Sequence, residues 1–328
     1  MANSQGIQLV DLDEQGIDRA FRADVLAGLG QEQKAIPARW LYDDAGSQLF
    51  EDITKVPEYY PTRAETEILE SRGEEFAEAI GPGRAVVEFG SGSSVKTPLL
   101  LKAIEPGAYV PLDIAGDFLR AAAADLSAKF PGLPVHPVEA DFTKKVELPA
   151  EVADMPKLGF FPGSTIGNMV PRTAVDLLRS MRETLGDKAK LLIGMDLIKD
   201  RKVLEAAYDD AAGVTAEFNL NLLRRINREL GGNIPVEKFH HDARWNDTFA
   251  RIEMHAVADA DVEFEVAGRT FAMQAGETIH TENSHKFGKR SANTLLLGGH
   301  WTPVGRWTDA EGRFSVILAE ATIKRAAP

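Results

Sequence analysis

An α/β fold built around a mainly parallel sheet is predicted by three observations. Short apolar runs alternate with helical stretches from Arg84 to about Leu197. A glycine-rich turn follows the first run, and acids stand at the ends of the next two. Strand–helix alternation of this kind closes into a parallel sheet through right-handed crossovers.

The elements follow in order. Residues 1–60 read as short helical pieces and loops. Ala85–Phe89 is a β-branched strand ending in glycines, followed by a helix around Pro98–Ile104. Tyr109–Ile114 is the second strand, Phe118–Phe130 a helix, and Val135–Ala140 the third strand. Leu158–Phe161 is a fourth strand, Ala174–Leu185 a helix and Leu191–Leu197 a fifth strand. After Asp200 the rhythm breaks into two consecutive helices, Val203–Ala212 and Ala216–Leu230, stopped by Gly231-Gly232. Four short alternating segments come next: Ile252–Val257, Val262–Val266, Arg269–Met273 and Thr278–Thr281. Turns at Ala267-Gly268 and Ala275-Gly276 make these antiparallel. Trp301–Trp307 and Phe314–Ala319, with a hairpin turn at Asp309–Gly312, resume strand character and can complete the main sheet.

Composition narrows the function. The net charge of −13 argues against a nucleic-acid partner, since phosphate binding needs clustered Lys and Arg. The 328 residues contain no cysteine, which removes disulfides, zinc–thiolate sites and thiol nucleophiles together. No secretory signal is visible at Met1–Gly6, and no apolar run reaches the roughly 18 residues that span a bilayer. The expectation is a cytoplasmic protein with a small-molecule substrate, no membrane partner and no evident obligatory protein partner.

In open parallel sheets a ligand binds beyond the carboxyl ends of the strands. The segment Val86–Lys96 places Gly90-Ser91-Gly92 at such an end, where glycines let backbone amides approach a ligand. A dinucleotide fingerprint wants a third glycine, and Val95 stands in its place. Asp113, ending the next strand, suits a ribose diol; Asp141 and Phe142, ending the one after, suit an adenine amine and its ring. Methionyl, ribose and adenine contacts in that order fit S-adenosylmethionine (SAM) better than a nicotinamide. A nicotinamide-dependent oxidoreductase using Gly90 and Asp113 is the alternative, and a silent amino-acid-binding module a third reading.

Candidate substrate groups are scattered. Pro57–Arg63 sets Tyr59 and Tyr60 between prolines, and Phe160–Asn168 ends the fourth strand in a polar, glycine-containing turn. Asn168 fits either an amine-facing contact or a helix N-cap before Pro171. Tyr208 lies in a helix, and Glu282 and Ser284 in the segment His280–Lys286. His240, His241, His280 and His285 lack metal-ligand spacing, so no metal is expected. No Gly-x-Ser-x-Gly elbow is present.

On Trp40–Ser47, Pro57–Arg63, Val87–Thr97, Gly163–Asn168, Ala207–Thr215 and Thr281–Phe287 the sequence resembles the histidine Nα-methyltransferase family of ergothioneine biosynthesis. Tyr59–Arg63 and Gly163–Asn168 are its specific strings; Asp44-Ala45 departs from the usual Ala-Arg in a loop outside the matched contacts. The resemblance implies a class I SAM-dependent methyltransferase (Rossmann-like) core, residues 61–198 plus 287–328. It also implies an α+β substrate domain, residues 1–60 plus 199–286. It implies three-fold methylation of the histidine α-amine to hercynine; related enzymes methylate other aromatic amino acids. By matching motifs, Gly90, Lys96, Asp113, Asp141 and Phe142 would bind SAM. Tyr59, Asn168, Tyr208, Glu282 and Ser284 would hold histidine, with Phe50 and Met254 lining the pocket. Asn168, Gly163 and Tyr42 are the candidate catalytic groups, with no dedicated general base.

Overall fold

The structure, a computed structural model, describes residues 12–13, 16–92, 96–114 and 116–322, with the side chains of Asp117 and Phe118 left out. Val95, and with it the missing third glycine, lies outside the described residues. The chain divides into two compact units, Met1–Tyr60 with Lys199–His285, and Pro61–Ile198 with Lys286–Pro328. Lys286, expected at the end of the substrate segment, belongs with the second unit, where its Nζ lies 2.7 Å from the buried carboxylate of Asp196.

In the first unit, α1 (Arg19–Leu29), β1 (Lys34–Ala35) and α2 (Asp44–Ile53) come from the N-terminal segment. The later segment supplies α8 (Arg201–Tyr208), α9 (Val214–Leu230), β7 (Phe239–Asn246), β8 (Arg251–Ala258), β9 (Val262–Val266), β10 (Arg269–Met273) and β11 (Thr278–His285). The sheet runs β1-β11-β8-β7, and β9 pairs with β10 alone. Helix α9 carries the core: Phe218, Leu222, Leu223, Ile226 and Leu230 bury against Phe21, Val25 and Leu41. Asp210 accepts from the amides of Val214 and Thr215 at 3.0 and 2.7 Å, satisfying the open N–H groups at the start of α9. Gly231 ends α9 in the left-handed region, φ 61°, as its sequence signal predicts.

Two differences from the sequence pattern matter. Strand β7 is hidden in sequence because, after Phe239, its inward positions are His241 and Ala243 rather than large apolar residues. Strand β11 continues to His285 instead of stopping at Thr281, because a register shift between His280 and Glu282 keeps it paired to β8. The bulge leaves His280 and Asn283 opposite His255 and Glu253, and Glu282 opposite Met254. Were β11 regular through Thr281, His280 and Glu282 would share a face.

The second unit contains α3 (Pro61–Ser71), α4 (Gly73–Ile80), α5 (Thr97–Ala103), α6 (Gly116–Lys129), α7 (Pro171–Leu185) and α10 (Lys289–Gly298). Its strands are β2 (Ala85–Phe89), β3 (Ala108–Asp113), β4 (Val138–Glu139), β5 (Lys157–Phe161), β6 (Lys190–Asp196), β12 (Trp301–Thr308) and β13 (Phe314–Ala321). They form one sheet in the order β12-β13-β6-β5-β2-β3-β4. The five central and N-terminal strands are parallel; β13 enters antiparallel to β6, and β12 antiparallel to β13. Strand β2 is buried along its whole length, the pattern of a parallel strand covered on both faces. The edge strand β4 spans two residues rather than Val135–Ala140, because Pro134 and Pro137 have no N–H to donate to a ladder.

Strand order reverses between β2 and β5: β3 follows on one side, β6 on the other. This is the switch point where loops diverge and leave a crevice at the carboxyl ends of the strands. The glycine turn follows β2 and the Gly163–Asn168 turn follows β5, so the topology brings both to that point.

Candidate active site

Around the glycine turn, Gly90 takes φ 75° and Gly92 φ 35°, the conformations that glycine adopts without strain. A Cβ on Gly90 would sit 3.4 Å from the ring of Phe142, so backbone and ring approach closely. Phe142 is also set edge-on to Phe89 and Phe161, at 6.1 and 6.5 Å between centroids. Gly90 and Ser91 donate their amides to the carbonyl of Leu112, and Gly92 donates to Oδ2 of Asp113 at 3.2 Å. The turn and the end of β3 therefore form one piece. Asp141 accepts from the amide and hydroxyl of Thr143, at 3.0 and 2.5 Å. Desolvation opposes ionisation of Asp141, but those bonds and Lys144 hold its pKa below the ordinary value.

The buried hydroxyl of Ser91 has no hydrogen-bond partner among the described residues. An orphaned donor beside two positive-φ glycines and a carboxylate fits a polar, ribose-bearing ligand laid against the backbone. Gly90, Asp113 and Phe142 meet at this turn; Asp141 stands one residue before Phe142. Glu88, in the same segment, serves the framework: it accepts from Thr97 and Tyr109 at 2.7 and 2.5 Å, joining β2, α5 and β3.

Lys96 meets a residue that the sequence did not single out. Its Nζ lies 2.6 Å from Oε2 of Glu65, and the same oxygen accepts from the amide of Gly163 at 2.8 Å. One buried carboxylate on α3 thus ties the end of the glycine turn to the loop after β5. The available signal was a Glu on the apolar face of α3, beside Ala64, Ile68 and Leu69. In that loop Gly163 and Ser164 both have positive φ, 80° and 56°. Ser164 is held there by the amide of Asp196, which donates to its Oγ at 2.9 Å. Asn168 ends a short 3-10 helix, Thr165–Asn168, and the N-cap of α7 is Val170; the N-cap reading of Asn168 is therefore corrected. Pro171 fills the first helical position, where its missing N–H loses no bond.

In the first unit the fold gathers Tyr42, Phe50, Tyr59, Tyr208, Met254, Glu282 and Ser284. Tyr42 packs edge-on to Phe50 at 5.6 Å and to Phe218 at 5.4 Å; Phe50 meets Tyr59, and Tyr59 meets Tyr208. Phe218 is the member that sequence reasoning missed, since a large aromatic on α9 reads only as core. The Tyr42 hydroxyl is 3.5 Å from Oε1 of Glu282, and those of Tyr208 and Ser284 are 2.7 Å apart. Desolvation first, then the Glu282 carboxylate and the phenols of Tyr59 and Tyr208, push Tyr42 well above its ordinary pKa. It stays a neutral donor at physiological pH. A carboxylate among hydroxyls and rings can accept an N–H from a flat, polar heterocycle.

The histidines take other places. His240 pairs with Asp259 at the surface, and His241 lies inside the unit. His255 and His280 stack at 4.7 Å with planes 16° apart, beside Glu253. Glu253, His255 and His280 each place one ligand atom within 4.8 Å of the others, and Arg251 also binds Oε1 of Glu253 at 2.7 Å. That cluster is held by its own hydrogen bonds, from the Glu282 carbonyl on His280 to the Thr278 hydroxyl on His255.

The family model for SAM-dependent, histidine-specific methyltransferases matches residues 21–321. The histidine N-alpha-methyltransferase of Mycolicibacterium smegmatis is 40% identical, over 92% of this chain and 94% of that protein. That of Mycobacterium tuberculosis is 40% identical over the same shares, 92% and 94%. A 4-dimethylallyltryptophan N-methyltransferase of Claviceps purpurea is 23% identical, over 91% of this chain and 96% of that protein. These relationships set aside the nicotinamide alternative, and the cofactor is SAM. Among the described residues no helix is long and apolar enough to cross a membrane. The chain belongs to the family of SAM-dependent, histidine-specific methyltransferases.

Proposed function

We propose that the protein methylates the α-amine of free L-histidine in the cytoplasm three times, giving hercynine, the first step of ergothioneine biosynthesis. The observation that carries the substrate is the buried carboxylate of Glu282, set by the bulge of β11 against the hydroxyl of Tyr42. An imidazole N–H is the partner such a carboxylate suits. The names of the two mycobacterial relatives support the same substrate.

When bound, SAM supplies an electrophilic methyl sulfonium. The chain's own residues have the remaining work. Lys96 offers a cation for a carboxylate, Asp113 two acceptor oxygens for a diol, and Phe142 a ring face for a base. Glu282 and Ser284 hold the imidazole, with Tyr59, Phe50 and Met254 enclosing it. Asn168 and Tyr208 donate to the substrate carboxylate. The amine attacks as the free base, and alignment within about 3 Å contributes most of the rate. Gly163 presents a backbone carbonyl that orients the amine without gripping every N–H, which leaves room for methyl groups as they accumulate.

The test is incubation with SAM and a panel of free amino acids, read by mass spectrometry. Histidine should gain one, two and three methyl groups in succession. No methylated product at saturating histidine overturns the reading, and preferential methylation of tryptophan replaces the substrate.

A further inference from the structure

Glu282 faces its pocket only because β11 carries an extra residue. That residue is Thr281, which is 2% exposed. Its hydroxyl donates to Oδ1 of Asn219 at 2.6 Å, from the buried middle of α9. Nδ2 of Asn219 reaches the carbonyl of His255 at 3.0 Å and Nδ1 of His241 at 2.8 Å. Nε2 of His241 reaches the carbonyl of Tyr208 at 2.7 Å. The Tyr208 hydroxyl in turn meets Ser284, three residues beyond Thr281.

These bonds close a circuit: Tyr208, His241, Asn219, Thr281, then along the strand to Ser284 and back to Tyr208. Carbonyls only accept, so His241 carries its proton on Nε2 and offers the lone pair of Nδ1 to the amide of Asn219. Asn219 then has both donors and its acceptor used. A protonated His241 would turn a second N–H against Nδ2 of Asn219. Burial, the largest influence, lowers the His241 pKa and keeps the ring neutral, although Asp209, Asp210, Asp242 and the Tyr208 carbonyl favour the cation.

Resting on the histidine reading above, we infer that Asn219, Thr281 and His241 are positioning residues that fix both the bulge aiming Glu282 and the helix end carrying Tyr208. None of Asn219, Thr281 and His241 is assigned to touch substrate or cofactor; they act through Glu282, Tyr208 and Ser284, which are. A polar ring is a costly way to fill a core unless each member is satisfied, and in this one each hydrogen-bonding group named has its partner.

Thr281→Val keeps the side chain's shape and removes only the hydroxyl. Calorimetric titration of the full chain, with S-adenosylhomocysteine present, should show the histidine Kd rising about tenfold. The Kd of S-adenosylhomocysteine should stay within about twofold, and Thr281→Ser should restore histidine affinity. His241→Gln, which retains the donor to Tyr208 and loses the link to Asn219, serves if Thr281→Val does not fold, with the same split expected. An unchanged histidine Kd in a folded variant, or equal losses for both ligands, overturns the network. Absence of histidine binding by the unsubstituted protein overturns the substrate reading and the network with it.

Discussion

Glu65 on α3 holds Lys96, at the start of α5, through a 2.6 Å ion pair in which the glutamate side chain is 1% exposed. The oxygen that binds Lys96 also binds the amide of Gly163, so one charge serves the loops after β2 and β5 together. A residue in this place controls geometry at the switch point without appearing in any cofactor motif.

Glu65→Gln should therefore lower both stability and cofactor affinity. Removing one partner of a buried pair costs roughly 3–5 kcal/mol, because the other charge is left uncompensated. Adding Lys96→Met should recover part of the stability but not the affinity, if Lys96 serves the cofactor. Differential scanning calorimetry and titration with S-adenosylhomocysteine measure the two effects; a single variant with native melting temperature and native affinity refutes the linkage.

The two partners in the Tyr42–Glu282 contact should contribute unequally. At 3.5 Å the hydroxyl is at the outer limit of a hydrogen bond, so Tyr42→Phe should change the histidine KM by less than about fivefold. Glu282→Ala should raise it by more than about tenfold and leave affinity for S-adenosylhomocysteine nearly unchanged. Because the Tyr42 phenol is pushed above its ordinary pKa, its ionisation should add no break to the pH–rate profile near 10. Steady-state kinetics across pH, with both variants, checks each expectation.

Acid should weaken the first unit before the carboxylates titrate. Desolvation, then the charges of His280 and Arg244, lower His255 to about 4. His241 and His280 shift the same way, again chiefly by burial. A depressed base binds fewer protons folded than unfolded. Its stabilisation is present above the unfolded value near 6.5 and is lost as pH falls towards about 4. For His255 alone the loss approaches roughly 3 kcal/mol at the lower limit. Urea midpoints should fall steadily between those values, and His255→Gln should flatten the slope. A midpoint independent of pH over that range contradicts the prediction.

Lys286→Ala should be among the most destabilising single changes in the second unit. Its ammonium and the Asp196 carboxylate are 0% and 1% exposed and 2.7 Å apart, so truncation strands a buried charge at roughly 3–5 kcal/mol. Buried pairs are poorly screened, and the deficit should persist in about 1 M salt. Denaturant titrations at low and high salt give the comparison; a loss that salt abolishes would assign the pair to the surface.

Much of the second unit was legible in the chain. Strands β2, β3, β5 and β6 are mainly apolar runs because both faces of a parallel sheet are covered, and that burial marks most of their residues. Edge strand β4 was overestimated, since Val135, Val138 and Ala140 look like a strand until the missing donors of Pro134 and Pro137 are counted. Helices α3, α4 and α10 and strand β7 were missed. Glu65 on the buried face of α3 and His241 on that of β7 are residue types that suggest surface or loop, and the short helices α4 and α10 bury only two residues each, Phe76 with Ile80 and Ala292 with Leu296.

The sequence by itself determined the α/β class, the glycine turn with its acids at successive strand ends, and the family. These are local signals: period, turn chemistry and short strings of residues. Only the tertiary structure decided that Glu65 joins Lys96 to Gly163, and that Thr281 turns Glu282 towards Tyr42. Those contacts join residues 31 to 240 positions apart. A polar side chain carries no mark of its partner until folding has removed the water it would otherwise face. The glycine turn announces a ligand, whereas the polar groups that aim the site are recognised only once they are buried and paired.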